Sequence, residues 1–407
     1  MDKILFVWEL GDNFGHLSRN IPIAKALRSV GYDINFVCRN LRISAQLLQK
    51  NLFGYFQAPL SLYFNNPNLP ETASYGEMLF RLGYADVGNL LGVLEGWINL
   101  PYVLNPKVII LDYAPIALLA ARITKIPVVA IGAGFEMPPF VTPSPWRITD
   151  QNVDEDRIFK AESCVLNTFN SILSMIKQEP LNCLADLYKN IPIALTTFSE
   201  LEHYSAIGFP RDELPHIGHI EFDISGSKFF DWPVNIQNFP NTRPKIFVYL
   251  RNFVKGINNI LIALSELNAD ILCFIPNITD EQNEMKNDRF FISNESQVLS
   301  ALLPNLDLVV NYAGAGTVAN TLLAGVPMLL VPHYSEQKST ASQVSKMGAG
   351  IWLDESSTRA DFIKNLNSVL EDISYQNNAR KFQRKYCDFS QEKAVNFVVK
   401  MISEVSK

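Results

Sequence analysis

Residues 4–38 read ILFVWELGDNFGHLSRNIPIAKALRSVGYDINFVC, and the reading of this stretch decides the fold class. Ile4–Trp8 is a short apolar run of strand length. A loop with Gly11 and Gly15 follows. The spacing then predicts a helix over Leu17–Val30, with Ile23, Ala24, Leu27 and Val30 on one face, Pro22 near its start and Gly31 as its stop. Asp33–Cys38 predicts the next strand. Strand, helix and strand in this order make a βαβ unit, which implies a parallel sheet with a right-handed crossover.

Outward from that unit the alternation returns, with strand Val108–Leu111, helix Ile116–Thr124, strand Val128–Ile131 and a short strand Ala194–Thr197. Between these lie helical stretches at Tyr75–Leu82, Val87–Ile98 and Cys183–Lys189, and two irregular stretches, 53–75 and 132–153. Residues 216–243 are rich in Gly, Asp, Asn and Pro and lack periodicity. A second alternation begins at Lys245–Leu250. It continues with helix Asn258–Leu267, strand Ile271–Ile275, helix Gln297–Leu303, strand Leu308–Asn311, helix Thr317–Ala324, strand Met328–Val331 and helix Ser339–Met347. Gln391–Val405 predicts an amphipathic helix with Ala394, Val395, Val398, Met401, Ile402 and Val405 on its apolar face. The expected organisation is an α/β chain. A Rossmann-like domain spans 1–220, a linker 221–243, a second Rossmann-like domain 244–390 and a terminal helix 391–407. Two such halves predict a ligand cleft between them, at the carboxyl ends of parallel strands.

Composition narrows the class of function. The chain has 407 residues, 48% of them hydrophobic, which excludes a mainly disordered protein. Its 35 Lys+Arg against 41 Asp+Glu give a net charge of −6, with no basic stripe, so a nucleic-acid partner is not expected. The five cysteines are scattered, odd in number and form no C-x-x-C, as reduced core thiols of a cytoplasmic protein would be. The opening MDKILFVWE does not read as a signal peptide, and no run approaches the roughly 18 apolar residues of a membrane span.

Four loops at strand ends carry candidate chemistry. In Gly11–Arg19, His16 sits at a strand–helix turn, where an imidazole can take a proton from a hydroxyl or simply pack. Asp112, at the end of its strand, can orient an imidazole or form a turn before Pro115. Asn311–Thr317 brings small residues to a helix start, either to receive an anion or to pack a tight turn. Glu336 and Gln337 can read sugar hydroxyls or dress the next helix. The pair His216 and His219 lacks further ligands nearby and is not read as a metal site, and Arg380–Lys385 reads as a solvated helix face.

The stretch VVNYAGAGTVANTLLAGVPMLLVPHYSEQKSTASQVSKMGAG, residues 309–350, resembles the donor-binding region of the UDP-glycosyltransferase superfamily (family 1, GT-B fold). The family pattern is H-G-G-x-G-T-x-x-E, then G-V-P, a strand, P, and D/E-Q. ELGDNFGHLSRNIPIAKALRSVGYDINFV, residues 9–37, is similar to the opening of the acceptor domain. KIPVVAIGAGFEMPP, residues 125–139, is similar to the third βα region of bacterial members. The resemblance implies two Rossmann-like domains and a C-terminal helix packing back on the first. It implies His16 as general base and Asp112 as the residue that orients it, with inversion at the sugar and no metal. Arg251, Asn252, Tyr312, Gly314, Ala315, Gly316, Thr317, Asn320, His333, Glu336 and Gln337 fall on the donor side. Phe14, Arg19 and Phe135 fall on the acceptor side, although Arg19 can equally pair with an acid of its own domain. No cofactor is implied beyond a nucleotide-sugar co-substrate, a UDP- or dTDP-sugar, and a protein partner or homodimer stays open.

Two departures from the pattern matter. The histidine that meets the diphosphate is Tyr312 here, and the glutamate that grips the ribose is Asn320. Arg251 stands where a small G-[ST] turn is usual, either restoring the lost charge or lying in solvent. No clear aromatic marks nucleobase stacking near Ser293–Gln297. The expected activity is transfer of a sugar to a hydroxyl of a small, partly apolar acceptor, a natural product or lipid. A nucleotide-sugar hydrolase, which Gly15-His16-Leu17-Ser18-Arg19 partly echoes, and a non-catalytic partner subunit are the alternatives.

Overall fold

The computed structural model describes residues 1–11, 15–61, 72–145, 154–222, 230, 232 and 243–407. The chain divides into two compact units, residues 1–222 with 390–407, and residues 223–389.

In the first unit the apolar runs become β1 (Lys3–Trp8), β2 (Asp33–Cys38), β3 (Gly54–Gln57), β4 (Val108–Asp112), β5 (Val128–Gly132) and β6 (Ile193–Leu195). They form one parallel sheet in the order β3-β2-β1-β4-β5-β6. β4 and β5 are buried along their whole length, which is why they read as continuous apolar runs and not as an alternation. The strand order reverses between β1 and β4, and there the register sets Trp8 beside Asp112. Ligands of doubly wound sheets bind at such a reversal, outside the carboxyl ends of the strands.

The helices of this unit are α1 (Gly15–Ser29), α2 (Leu41–Lys50), α3 (Tyr75–Leu79), α4 (Val87–Leu104), α5 (Pro115–Thr124) and α6 (Glu155–Met175). Sequence periodicity had assigned nothing to α2 or α6. Yet α6 spans 21 residues, opens on the Asp154 side chain accepting from the Arg157 N–H, and buries Ile158, Ala161, Val165, Phe169 and Ile172 at helical spacing. Its polar residues at 155–157 and 162–164 hide that stripe. The helix expected over Tyr75–Leu82 stops at Leu79, and an irregular turn follows that breaks at Gly83, where φ is 82°.

The second unit repeats the plan with β7 (Lys245–Tyr249), α7 (Ile257–Ser265), β8 (Asp270–Phe274), α8 (Asp280–Asn283), β9 (Phe290–Ser293) and α9 (Leu299–Leu302). β10 (Leu308–Asn311), α10 (Ala315–Leu323), β11 (Met328–Leu330), α11 (Ser335–Lys346), β12 (Gly350–Trp352), α12 (Arg359–Glu371) and α13 (Ile373–Lys385) complete it. The parallel order β12-β11-β10-β7-β8-β9 reverses between β7 and β10, with Tyr249 beside Asn311. Both sheets therefore carry the same topology, each with its own switch point. The basic run Arg380–Lys385 lies on α13, which buries Ala379 and Phe382. The cysteines depart from the expectation of core thiols. Cys38 and Cys273 are buried, whereas Cys164 and Cys387 are exposed, and all five are free.

The last helix, α14 (Gln391–Val405), belongs to the first unit. It buries Ala394, Val395, Val398 and Ile402. The Gln391 Oε1 accepts from the Glu221 N–H at 2.8 Å, and the Tyr32 and Ser406 hydroxyls meet at 3.0 Å. Ile402 is fully buried, so Ile402→Ala should destabilise the first unit by about 2–5 kcal/mol. Hydrogen exchange resolved by segment checks this: protection should fall in β1–β6 and stay unchanged in β7–β12.

Candidate active site

At the first switch point β1 leaves the sheet through Gly11 and the chain re-enters regular structure at α1. Gly11 has φ of 85°, and a Cβ there would stand 2.6 Å from His16 Nε2, so the turn requires glycine. His16 is the second residue of α1. Its Nδ1 lies 2.8 Å from Asp112 Oδ1, and Asp112, at the end of β4, is fully buried. The imidazole stacks on Trp8, with ring centroids 5.2 Å apart and planes at 23°. Trp8 is fixed in turn by its Nε1–H, which donates to the Leu10 carbonyl at 2.6 Å. Tyr113 takes a left-handed conformation, φ 53°, and its carbonyl accepts from the Leu10 N–H at 2.9 Å.

Burial by itself pushes the Asp112 carboxyl up. The charge of Arg19, then His16 and its hydrogen bond, then the Asn20 amide outweigh it and hold the group below the ordinary carboxylate value. An ionised Asp112 accepts from Nδ1–H, which leaves Nε2 as the nitrogen able to take a proton.

Arg19, expected on the acceptor side, is turned inward and is 8% exposed. Its Nε lies 3.7 Å from Asp112 Oδ2, its Nη1 and Nη2 donate to Glu136 Oε1 at 3.4 Å, and Nη1 donates to Thr196 Oγ1 at 3.2 Å. The second of the two readings open for Arg19, pairing with acids of its own domain, is the one the structure has. Phe135 departs from the expectation as well. It is buried, with its ring edge against His203 at 5.5 Å, because an aromatic ring in this loop gains more from packing than from water. Phe14 lies outside the described residues. Donor atoms of His16, Asp112 and Glu136 all lie within 4.8 Å of one another, a spacing a metal ion can use. The ring nitrogen and both carboxylates are already engaged, however, and the positive charge in contact with the two acids is Arg19. Glu136, Asn20 and Trp8 were not singled out from sequence. The signal available was the helical spacing of His16, Arg19 and Asn20 on one face.

At the second switch point β7 runs into Arg251 and β10 into Tyr312. Asn311 Oδ1 accepts from the Ala313 N–H at 2.7 Å, which shapes the turn in which Ala313 has φ 61°. Gly314 then caps α10 without a side-chain bond, so the first N–H groups of this helix are not capped from within. The Tyr312 ring folds over this point, and a Cβ at Gly314 would meet its Cε2 at 3.1 Å. Arg251 Nη2 donates to the Tyr249 hydroxyl at 2.9 Å, the Tyr312 and Tyr249 hydroxyls lie 3.4 Å apart, and the guanidinium stands 5.8 Å from the Tyr312 ring centre. Arg251 is thus held beside Tyr312 and not loose in solvent. Burial first, and Tyr249 next, push the Tyr312 phenol up, so it remains a neutral donor.

The remaining donor-side candidates divide. Ala315, Gly316 and Thr317 form the first turn of α10, with Thr317 buried and Asn320 half-buried one turn on. Asn252 turns away, donating to the Asn277 carbonyl at 2.8 Å and accepting from Gln282 at 3.2 Å. Gln337 uses its carbonyl oxygen to cap α11, accepting from the His333 and Tyr334 N–H groups at 2.9 and 3.2 Å. Glu336 is half-buried in the same turn. His333 Nδ1 lies 3.0 Å from Glu355 Oε1, with the Phe253 ring 5.5 Å away. Among the described residues no helix is long and apolar enough to cross a membrane.

Residues 258–401 match the family model of the erythromycin biosynthesis protein CIII-like C-terminal domain. The chain is 33% identical over 88 residues to the erythronolide mycarosyltransferase of Saccharopolyspora erythraea, covering 21% of each chain. It is 22% identical over 388 residues to an uncharacterized glycosyltransferase of Methanosarcina acetivorans, covering 94% of this chain and 91% of that one. The match spans about a fifth or less of the length of the first curated relatives. Among solved structures, the calicheamicin glycosyltransferase CalG4 superimposes with a TM-score of 0.71 at 15% identity, over 100% of this chain and 99% of that one. The spinosyn rhamnosyltransferase SpnG complexed with thymidine diphosphate gives 0.65 at 17%, over 98% and 100%. These likenesses, with the two parallel six-stranded sheets, give the GT-B fold.

A second buried acid near the site gives a pH test. Glu9 follows β1 and is fully buried, and its oxygens accept from the Tyr84 hydroxyl at 2.8 Å and from the Ile116 and Ala117 N–H groups at 2.9 and 3.3 Å. Burial raises it from 4.5 to about 7 despite these bonds. Between those values the folded chain holds a proton that the unfolded chain has lost, so the group's contribution is full below 4.5 and declines as pH rises toward 7. Denaturant titrations across this range should show Glu9→Gln losing less stability with rising pH than the parent.

Proposed function

We propose that the chain is a member of the UDP-glycosyltransferase superfamily and transfers a sugar from a nucleoside-diphosphate sugar to a hydroxyl of a small, partly apolar acceptor. The observation that carries the reading is the 2.8 Å contact between His16 Nδ1 and a fully buried Asp112 at the first switch point. His16 Nε2 takes the acceptor's hydroxyl proton as the oxygen bonds to the anomeric carbon. The bond from that carbon to the diphosphate oxygen breaks, and its electron pair leaves with the diphosphate. Attack opposite the leaving group inverts the anomeric centre. Asp112 stabilises the imidazolium that forms and holds the ring in register.

On the donor side the uncapped start of α10 suits a diphosphate, and Arg251 supplies charge beside the neutral Tyr312, so the reading needs no metal. Glu336 and the amide NH2 of Gln337 are the groups assigned to sugar hydroxyls. The thymidine diphosphate bound to SpnG supports dTDP- or UDP-sugars as the first donors to try. The Tyr312 ring lying over Gly314 favours one alternative, a chain that binds nucleotide weakly and serves as a non-catalytic partner.

Calorimetry with UDP, dTDP, GDP and ADP separates these readings. A donor site predicts micromolar binding of one nucleotide, weakened about ten- to hundredfold by Arg251→Ala. With that nucleotide's sugars, His16→Ala should lower kcat/KM about 10²–10⁴-fold while nucleotide binding stays unchanged. NMR of the product should show inversion. Turnover that survives His16→Ala, or product with retained configuration, sinks the proposed mechanism. Free sugar released without acceptor would mark a hydrolase.

A further inference from the structure

We propose that Arg19 is the positioning residue of the His16–Asp112 pair: its charge keeps Asp112 an acceptor, which keeps the His16 proton on Nδ1 and leaves Nε2 open. The catalytic consequence rests on His16 being the base. The geometric claim does not.

Three side chains of α1 converge on one carboxylate. His16 Nδ1 meets Oδ1 at 2.8 Å, Asn20 Nδ2 donates to Oδ2 at 2.9 Å, and Arg19 Nε stands 3.7 Å from Oδ2. Positions 16, 19 and 20 share a helix face, so one rigid element carries all three. Among the described residues, the titratable and charged groups around Asp112 are His16 and Arg19 from α1, Tyr113 next in the chain, and Glu136 from the loop after β5. Arg19 alone of these bears a permanent positive charge. Glu136 is an acid, and it holds the far end of the guanidinium together with Thr196. The Glu136 oxygens also accept from the Ala133 and Gly134 N–H groups at 3.3 and 3.0 Å, which fixes this strut to the loop.

A fully buried carboxylate without a cation takes up a proton. A protonated Asp112 is a donor, and its O–H would point at Nδ1. A neutral imidazole carries only one proton, so that proton would then sit on Nε2. The nitrogen assigned to receive the acceptor's proton would be occupied. Removing the Arg19 charge therefore silences the base without displacing any atom of it.

The test is long-range 15N–1H NMR of the full chain carrying 15N-histidine. One of the five histidines is assigned to His16 by its disappearance in His16→Gln. At a pH well above the ordinary imidazole range, the parent should show the Nδ1–H tautomer. Arg19→Met should show the Nε2–H tautomer at the same pH and return to Nδ1–H as pH rises enough to ionise Asp112. Arg19→Lys, which keeps the charge, should match the parent. Should Arg19→Met fail to fold, Arg19→Gln is read in the same way. The parent tautomer in a folded neutral variant overturns the proposal, and so does the Nε2–H tautomer in Arg19→Lys. Because the spectrum needs no substrate, a chain without transferase activity that shows these tautomers would refute the proposed function and leave this inference standing.

Discussion

The site depends on an ionised carboxylate with no access to water. Asp112 ends a strand buried on both faces, beside the point where the order of the first sheet reverses. Leaving such a group charged costs several kcal/mol unless partners replace the lost solvent. The replacement comes almost wholly from α1, through His16, Arg19 and Asn20. These bonds hold the first turns of α1 against the end of β4, and at Gly11 a Cβ would stand 2.6 Å from His16 Nε2. Trp8 closes the other side of the imidazole and is itself tied to the turn. The local geometry of this corner follows from the need to satisfy one acid.

The second unit meets a related demand at the equivalent corner with different chemistry. Its sheet has the same reversal, and the loop after β10 again leads into a helix start. Among the described residues no carboxylate is buried at that corner. Two phenols and a guanidinium share the space, with Tyr249 holding Arg251 and packing edge-on to Tyr312 at 5.1 Å. A Cβ at Gly314 would stand 3.1 Å from the Tyr312 ring, a contact tight enough that the ring would have to shift by a few tenths of an ångström. One topology therefore yields a corner arranged around an anion and another arranged around a cation.

Much of this was legible in the sequence because the strands are apolar runs and the loops after them hold the chemistry. His16 and Asp112 stand out by position, His16 where a helix opens after the first strand and Asp112 at the carboxyl end of another strand. The course of Arg19 was not legible, because its partner Glu136 lies 117 residues away and no local pattern links them. Phe135 misled for a similar reason: an aromatic residue in a strand-end loop can face ligand or core, and only the His203 and Tyr204 contacts decide. α6 escaped because its apolar stripe is narrow and interrupted by acids, one of which, Glu162, is buried against Ser144. A periodicity reading counts Glu162 as solvent-facing, whereas the fold uses it to anchor a loop. The edge strands β9 and β12, four and three residues long, are only partly buried and so lack the apolar run that marks the three-residue β11.

The replacement of the pattern's histidine by Tyr312 alters which group can carry charge toward a diphosphate. An imidazole changes charge near neutral pH, and a diphosphate site built on it changes strength with it. Tyr312 is pushed up by burial and stays a neutral donor, so it contributes a hydrogen bond and no charge. Arg251 is permanently charged, and its link to Tyr249 keeps it within reach of the Tyr312 ring. On the proposed donor reading, the charge that Arg251 brings to this corner is then constant across physiological pH. The buried His16–Asp112 pair of the first unit shares a proton, and on the inference drawn above Arg19 decides which ring nitrogen carries it. On the proposed function the two corners separate two tasks: the fixed charge of Arg251 for the leaving group, and a single movable proton at His16 for the acceptor.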